Sequence, residues 1–295
     1  MQQLEALRKR IESTESLLSV TRTMKTLAAV NIRHYERAVE SLAVYSETIE
    51  LGLQIVLRTW HDRIALAEHT LSDTLGAIIF GSEQGLAGQF NERIAAYALD
   101  RMRPLKADPR KRRVLVLGTR VIGHLEDGGQ PVAEAAPVPS SLAGITSAVH
   151  EVLLEVETWR AVHDIDQILL FYNTPAAGAS YEPVMQWLVP VDPAWLARLQ
   201  SRPWDSRVLP TFFMDGERLL SALVRQHLFV SLYRAFAESL ASENAARLAA
   251  MQAAEQNIED RLGVLRTQHH HFRQSSITEE LLDIAAGFEA LTGRR

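Results

Sequence analysis

The chain has no cysteine among its 295 residues. This absence excludes a disulfide scaffold, a cysteine-ligated zinc or iron–sulfur site, a thiol nucleophile and a thiol redox switch. An excess of positive charge is also missing, because 31 basic and 36 acidic side chains leave a net charge of −5. A basic nucleic-acid-binding protein is therefore disfavoured, and we expect no nucleic-acid partner. No stretch approaches the roughly 18 apolar residues of a membrane span, so we expect no membrane-spanning segment.

Proline is absent from both ends of the chain. All 11 prolines lie between Pro104 and Pro210. A proline in a helix interior costs about 3 kcal/mol, because it removes a backbone donor and clashes with the preceding turn. The proline-free ends can therefore form very long helices.

The N-terminal end has the hydrophobic periodicity of an amphipathic helix. Apolar residues recur there at alternating steps of three and four. They are Leu4, Leu7, Ile11, Leu18, Tyr35, Val39, Leu42, Ile49, Leu53 and Val56. Gly52 is the one glycine between about 5 and 58, so the pattern predicts one unbroken helix of roughly 80 Å.

The C-terminal end predicts a second long helix with a coiled-coil seam of about five heptads. The seam consists of Ala237, Ala241, Asn244, Leu248, Met251, Glu255, Ile258, Leu262, Leu265, His269 and Phe272. Its polar members indicate a helix pair that is not buried evenly. We expect the small side chains of Ala245, Ala246, Ala249 and Ala250 to be exposed beside it. Since each terminal helix is too long to pack on a small sheet, the simplest partner for each is the other.

The middle of the chain alternates between short apolar runs and helix-like segments. Apolar runs that end in turn residues occupy 75–81, 113–118 and 166–172, separated by helix-like segments at 87–103, 119–127 and 142–161. A further run at 181–191 contains Pro183 and Pro190, which is typical of an added edge strand or hairpin. This alternation indicates an α/β unit with a parallel sheet.

The predicted fold class is therefore α/β, with a long antiparallel two-helix coiled coil formed by the N- and C-terminal helices. A Rossmann-like α/β domain with a mainly parallel sheet is inserted between them. The predicted boundaries are 1–60 for the N-terminal shaft helix, 61–210 for the globular domain and 211–295 for the C-terminal shaft helix.

The segment from Gly81 to Gly88 follows a strand and opens a helix, where phosphate loops and nucleophile elbows occur. Its spacing fits neither, since Leu86 stands where a phosphate loop needs its second glycine and no lysine follows. Ser82 lies directly beside Gly81 rather than midway between two glycines. We interpret Gly81, Gly85 and Gly88 as a structural loop.

The run His269–His271 invites a metal-binding interpretation, but consecutive helical residues point about 100 degrees apart and cannot close on one ion. We therefore predict no metal site, no catalytic residue and no cofactor.

Five motifs are spread along the chain in a particular order. They are Val20–Lys25 (VTRTMK), Gly81–Asn91 (GSEQGLAGQFN), Tyr181–Pro183 (YEP), Ala241–Met251 (ASENAARLAAM) and Phe272–Glu280 (FRQSSITEE). Together they resemble the gamma subunit, the central rotor shaft, of F-type ATP synthases. Ala87 stands where that family commonly has cysteine, Gln89 where glycine is usual and Glu279 where glutamine is usual. These departures are those of a divergent or accessory version.

The resemblance implies a non-catalytic subunit that couples ion flow to ATP synthesis or hydrolysis. Its implied partners are the alpha and beta subunits of the catalytic ring, the epsilon subunit and the membrane c-ring, at the cytoplasmic face of the inner membrane. The resemblance also implies that Met24, Lys25, Arg273, Gln274 and Thr278 contact the surrounding ring.

Two other functions are open at this point. One is an α/β enzyme that binds a nucleotide or phosphate and carries helical arms, which a micromolar ligand for the isolated chain would support. The other is a coiled-coil adaptor, which explains the helices but not the ordered match of separate motifs.

Overall fold

The computed structural model describes residues 2–59, 74–105, 108, 111–176, 180–204, 207–208 and 210–292. The helices and strands of this part of the chain, in order, are α1 (Gln2–Thr59), β1 (Leu75–Phe80), α2 (Phe90–Met102), β2 (Arg112–Leu117), α3 (Ile122–Asp127), β3 (Glu134–Ala136), α4 (Leu142–His163), β4 (Ile168–Ala176), β5 (Ser180–Val189), α5 (Pro193–Ser201) and α6 (Gly216–Thr292). A short 3₁₀ turn, Thr119–Val121, leads into α3.

The two predicted terminal helices are confirmed as α1 and α6, of 58 and 77 residues. The chain divides into two compact units, and both long helices contribute to both. The central unit is Ala28–Arg247. The terminal unit consists of Met1–Leu27 and Leu248–Arg295.

The sheet of the central unit has the strand order β3-β2-β1-β4-β5. β1 pairs in parallel with β2 and β4, and β3 pairs in parallel with β2. β5 pairs antiparallel with β4 at the sheet edge, which confirms the predicted added strand. Strand β3 was not predicted, because its three residues, Glu-Ala-Ala, are too short to show an alternating pattern.

The sheet is covered on both faces, which is why its inner strands are continuous apolar runs. On one face, Phe80 of β1 meets Phe236 of α6 at a ring-centroid distance of 4.9 Å in an edge-to-face arrangement. Trp159 of α4 is fully buried in the same cluster. On the opposite face, Ile94 and Ala98 of α2 pack against the sheet.

Within the central unit α1 and α6 run antiparallel and share an apolar seam. Leu53 and Val230 belong to one buried cluster. The backbone approaches closely at Gly52, since a Cβ there would lie 2.9 Å from a methyl carbon of Leu223.

Two predicted exposures in the central unit are wrong. Ala245 and Ala246 are buried rather than exposed. Ala246 packs in a cluster with Ala87 and Phe90, so the α/β domain covers this side of the helix. Periodicity along one helix does not show a second surface that covers it from another side.

In the terminal unit the helix pair has a narrow buried seam. Its buried apolar side chains are Leu7, Met251, Leu262 and Leu265. Phe272 was predicted to belong to the seam, but it is 47% exposed, and Ser276 is the half-buried position of this turn. No helix in the described part of the chain combines the length and apolar character needed to cross a membrane.

Candidate functional site

The glycine-rich loop between β1 and α2 is closed by its own polar side chains. The Ser82 backbone N–H donates to Asn91 Oδ1 at 2.9 Å, and Asn91 Nδ2 donates to Ser82 Oγ at 2.9 Å. The Ser82 hydroxyl in turn donates to the carbonyl of Gln84 at 2.9 Å. Ser82 is completely buried, so this hydroxyl supports the loop geometry and faces no open site.

The predicted loop glycines differ in what the backbone requires of them. A Cβ on Gly81 would lie 2.6 Å from a methyl carbon of Val121, so only glycine fits there. Gly88 has φ of +55°, a left-handed conformation that glycine adopts without strain. Gly85 has open space at its Cβ position. Leu86 between them has φ of 65° and an exposed side chain, and a bulky residue in this conformation is strained.

A buried ion pair on α6 contacts the backbone of this loop. Arg247 Nη2 donates to a Glu243 carboxylate oxygen, and the two side chains are only 12% and 8% exposed. The same Nη2 points to the carbonyl oxygens of Gln84 and Gly85, at 3.4 and 3.5 Å. Burial raises the pKa of the Glu243 carboxyl, and the charge of Arg247 opposes that shift. The guanidinium thus joins the helix to the loop backbone.

A hydrogen bond also joins α6 to strand β4 of the sheet. Ser242 Oγ donates to the carbonyl oxygen of Asn173 in β4 at 3.0 Å, and both residues are buried. Two residues further along α6, Asn244 accepts a long hydrogen bond of 3.4 Å from Asn31 of α1. We name the contacts of Ser242, Glu243 and Arg247 with the loop and β4 the docking clamp.

The 241–251 motif is recognisable in the sequence, but its contacts with the loop and β4 were not predicted. A signal for this role was present in the run 242–247 (SENAAR), which consists of polar side chains and two alanines and has no large apolar side chain. Such a run allows another backbone to approach the helix closely. Which backbone it is depends on contacts more than 160 residues apart.

In the terminal unit the polar seam position Glu255 is the centre of an ion cluster. Arg22 Nε donates to Glu255 at 2.9 Å, and Lys25 Nζ bonds the other carboxylate oxygen. Arg22 also reaches Glu259. The hydrogen bonds from Lys25 and then Arg22 lower the pKa of Glu255, and those to Glu255 and Glu259 raise the pKa of Arg22. The negative charge of Glu255 is thus balanced by Arg22 and Lys25 of the other helix.

The predicted ring-contact residues fall into two separate groups. Met24 and Lys25 are half-buried on α1, and Lys25 pairs with Glu255. Arg273, Gln274 and Thr278 are exposed on α6, where Thr278 Oγ1 donates to the Gln274 carbonyl at 2.9 Å. Since Arg273 lies about 18 residues beyond Glu255 along α6, the groups are roughly 27 Å apart along the helix pair.

The described residues include no group of three or more His, Asp or Glu side chains placed to hold a metal ion. In the run 269–271, the rings of His269 and His270 are 6.2 Å apart and nearly perpendicular.

Comparison with known proteins places these features in one family. A model of the ATP synthase family matches residues 3–291. The ATP synthase gamma chain of Nostoc punctiforme is 27% identical over 322 residues, covering 99% of this chain and 100% of that protein. The similarity therefore extends through 92–180, where the sequence motifs alone indicated only a common architecture.

Solved structures agree at the level of the fold. A chain of the Euglena gracilis mitochondrial ATP synthase rotor in rotational state 1 matches with a TM-score of 0.62 and 16% identity, over 93% of this chain and 99% of that one. In the OSCP/F1/c-ring structure of the same enzyme in rotational state 3, a chain matches with a TM-score of 0.63 and 17% identity, over 99% and 95%. Because the family model spans nearly the whole chain and the relatives are gamma chains along their full length, this protein belongs to the ATP synthase gamma family.

Proposed function

We propose that this chain is the asymmetric rotor shaft of an F-type ATP synthase, that it transmits torque and that it catalyses no reaction itself. Its proposed partners are the alpha and beta subunits around the helix pair, the epsilon subunit, and the membrane c-ring. Its proposed place is the cytoplasmic face of the inner membrane, as a peripheral subunit. The family match over residues 3–291 favours this role over the enzyme and adaptor alternatives.

The observation that carries the proposal is the docking clamp. Torque between a helix and a globular domain requires a contact that resists sliding and rotation. Arg247 is fixed by Glu243 and directed at two loop carbonyls, while Ser242 bonds a third carbonyl in β4. Bonds with both the loop and a strand oppose rotation of the domain around the helix, which a single bond would permit.

The second support is the surface of the terminal unit. Large apolar side chains are exposed on both of its helices, among them Leu17, Leu27, Leu281, Leu282 and Ile284. Exposed apolar side chains on both helices of this unit fit a face that is covered by partners in an assembly. Lys25, with its carboxylate partner Glu255, offers a charge that a ring subunit could exchange for one of its own acids during rotation.

The ring contacts of Met24, Lys25, Arg273, Gln274 and Thr278 are part of this proposal. The two groups would meet the surrounding ring at two levels, since they are separated along the helices. Exposed Arg273 is suited to a bidentate pair with a carboxylate of a partner.

Purification of the complex from native membranes, with identification of the co-purifying subunits, tests the assignment. Recovery of the alpha, beta, epsilon and c subunits with this chain is expected. Recovery of the chain without any ATP synthase subunit would overturn the proposal.

A substitution at the clamp tests the mechanism. Arg247→Met should leave the subunit composition intact and lower the number of ions pumped per ATP hydrolysed. Arg261→Met, at an exposed position of the same helix, is the matched control and should pump normally. Normal coupling in Arg247→Met would remove the clamp from torque transmission.

Loss of stability must be separated from loss of the clamp. Removing one partner of a buried ion pair costs about 3–5 kcal/mol, because the other charge stays buried and unpaired. The double variant Glu243→Gln with Arg247→Met removes both charges, so it should recover most of the stability but not the coupling. Recovery of coupling together with stability would show that the ion pair serves folding alone.

A further inference from the structure

Leu86, in the loop beside the docking clamp, combines an exposed apolar side chain with a left-handed backbone. Its φ is 65° and its side chain is 59% exposed. A single exposed leucine needs no explanation by itself. A bulky residue at positive φ does, because the conformation costs stability and persists only where the surrounding structure imposes it. Among the described residues the other non-glycine at positive φ is Asp164, a polar residue at the end of α4.

The residues on both sides of Leu86 impose this conformation. On one side, Arg247 Nη2 points to the carbonyl oxygen of Gly85 at 3.5 Å. On the other side, Ala87 is buried and packs with Phe90. Because the backbone is fixed before and after it, residue 86 turns the chain in the left-handed region and its side chain remains in solvent.

The fold by itself would favour a different residue at position 86. Glycine and asparagine adopt the left-handed region with less strain than leucine. The same loop uses Gly88 at φ of 55°. A leucine in this place stabilises neither the loop backbone nor, at 59% exposure, the core. Contact with another protein explains why an apolar side chain is present there.

The position of the loop indicates which partner this is. Arg247, which contacts the loop, is the last residue of the central unit on α6, and the helix continues into the terminal unit at Leu248. On α1 the exposed apolar side chains extend from Leu17 to Val30, past the boundary that follows Leu27. The apolar surface proposed to face the ring of alpha and beta subunits therefore does not end with the terminal unit.

We infer that Leu86 is a contact point for a subunit of the surrounding ring, and that its side chain packs against an apolar surface of that subunit. This inference rests on the proposed function, because the ring is the partner only of a rotor shaft. Glu83 and Gln84 beside it are exposed, so the apolar contact would have the polar rim that is typical of interfaces. Since Arg247 joins the loop to α6, a force on Leu86 would reach the shaft through the docking clamp.

The variant Leu86→Asn separates strain from contact, because it relieves the backbone and removes the apolar side chain. The melting temperature of the full chain, followed by circular dichroism, should rise by about 2 °C. ATP-driven ion pumping in membranes that carry the variant should fall by about threefold or more. Leu86→Met keeps an apolar side chain and should retain most of the pumping.

The matched control is Leu154→Asn, on α4. Leu154 has the same 59% exposure, but it lies within a helix, where asparagine relieves no strain. This variant should pump normally, and its melting temperature should not rise.

Three results would overturn the inference. Normal pumping by Leu86→Asn would exclude the contact. A lower melting temperature of Leu86→Asn would show that the leucine serves folding, and an equal loss of pumping in Leu86→Met would show that an apolar side chain is not what the partner requires. The composition of the purified complex distinguishes these results from failure of the rotor proposal. If the ATP synthase subunits co-purify with the chain and Leu86→Asn pumps normally, only the role of Leu86 is refuted.

Discussion

The same helix, α6, has two different environments in the two units. In the central unit Leu232, Ala235, Phe236 and Ala237 are consecutive or nearly so, and all are completely buried. In the terminal unit only every third or fourth residue is covered, and Leu281 and its neighbours are exposed. One continuous helix thus serves as a core element in one unit and as one member of a thin helix pair in the other.

This difference shows that the units are stabilised in different ways. Burial of apolar surface, at about 25 cal/mol per Å², dominates in the central unit. In the terminal unit the narrow seam is supplemented by ion pairs between the helices, such as Glu15 with Arg266 at 2.7 Å. The stability of a helix that is covered along only one stripe depends strongly on an unbroken backbone hydrogen-bond pattern. The stability of a core helix depends more on the side chains that pack around it.

The largest effect is expected from Leu262→Pro, which interrupts helix α6 in the terminal unit. Leu262 is buried on the seam. Proline there costs about 3 kcal/mol or more and kinks the helix. We expect assembly or ATP-driven ion pumping to be abolished, as measured in membranes carrying the variant.

Leu262→Met is the control, because it keeps volume and helix propensity and should be nearly silent. Normal pumping by Leu262→Pro would contradict the threaded-shaft proposal even though the family membership would stand.

A matched pair of phenylalanines tests the contrast in packing. Phe236→Ala should destabilise the central unit by about 3–5 kcal/mol, since it removes a buried ring that contacts Phe80. Phe272→Ala, 47% exposed in the terminal unit, should change stability by no more than about 0.5 kcal/mol. Urea denaturation followed by tryptophan fluorescence and circular dichroism measures both. Similar losses in the two variants would refute the difference between the units.

Acid should destabilise the central unit through His227. Burial, and then the charge of Arg234, lower its folded pKa to about 4, below the ordinary value of 6.5, so the unfolded chain takes up the proton first. Stability contributed by this group is complete above pH 6.5 and falls as the pH drops to 4, by up to about 3 kcal/mol. Denaturation midpoints at several pH values should show this loss, and His227→Asn should remove it. If the denaturation midpoint of His227→Asn still falls with pH in the same way, other titratable groups cause the loss.

The smallest effect on stability is expected from Lys25→Ala and Arg273→Ala. Both side chains lie in the thinly packed terminal unit, so the unfolding midpoint should barely change. If they contact the ring as proposed, the hydrolysis rate or the pumping ratio should change by about an order of magnitude. Lys9→Ala, also on α1 and paired with Glu5 at 3.5 Å, is the control. Unchanged rates and coupling in both variants, in an intact complex, would remove these residues from the mechanism.

How well the sequence predicted each element depends on how far apart along the chain its interacting residues lie. Helix extent depends on proline, glycine and local periodicity, so both long helices were predicted to within a few residues. The strands β1, β2 and β4 were recognised as short buried runs ended by turn residues. β3 was missed, because its pairing with β2 and not its composition makes it a strand.

The candidate site was predicted only in part. The motif residues Ser242 to Arg247 and the loop glycines were recognised through family resemblance. Their contact with each other was not, since hydrogen bonds between Arg247 and the loop carbonyls join positions about 160 residues apart. The burial of Ala246 and the pairing of Lys25 with Glu255 were missed for the same reason.

The sequence by itself determined the two proline-free helices, the parallel α/β insertion, the absence of thiol chemistry and the family, because each rests on local pattern or residue type. Only the tertiary structure decided which face of α6 docks the domain, which cations pair with Glu255, and which seam residues are covered. Those features depend on side chains brought together from distant segments, and a periodic pattern along one helix contains no information about the surface that packs against it.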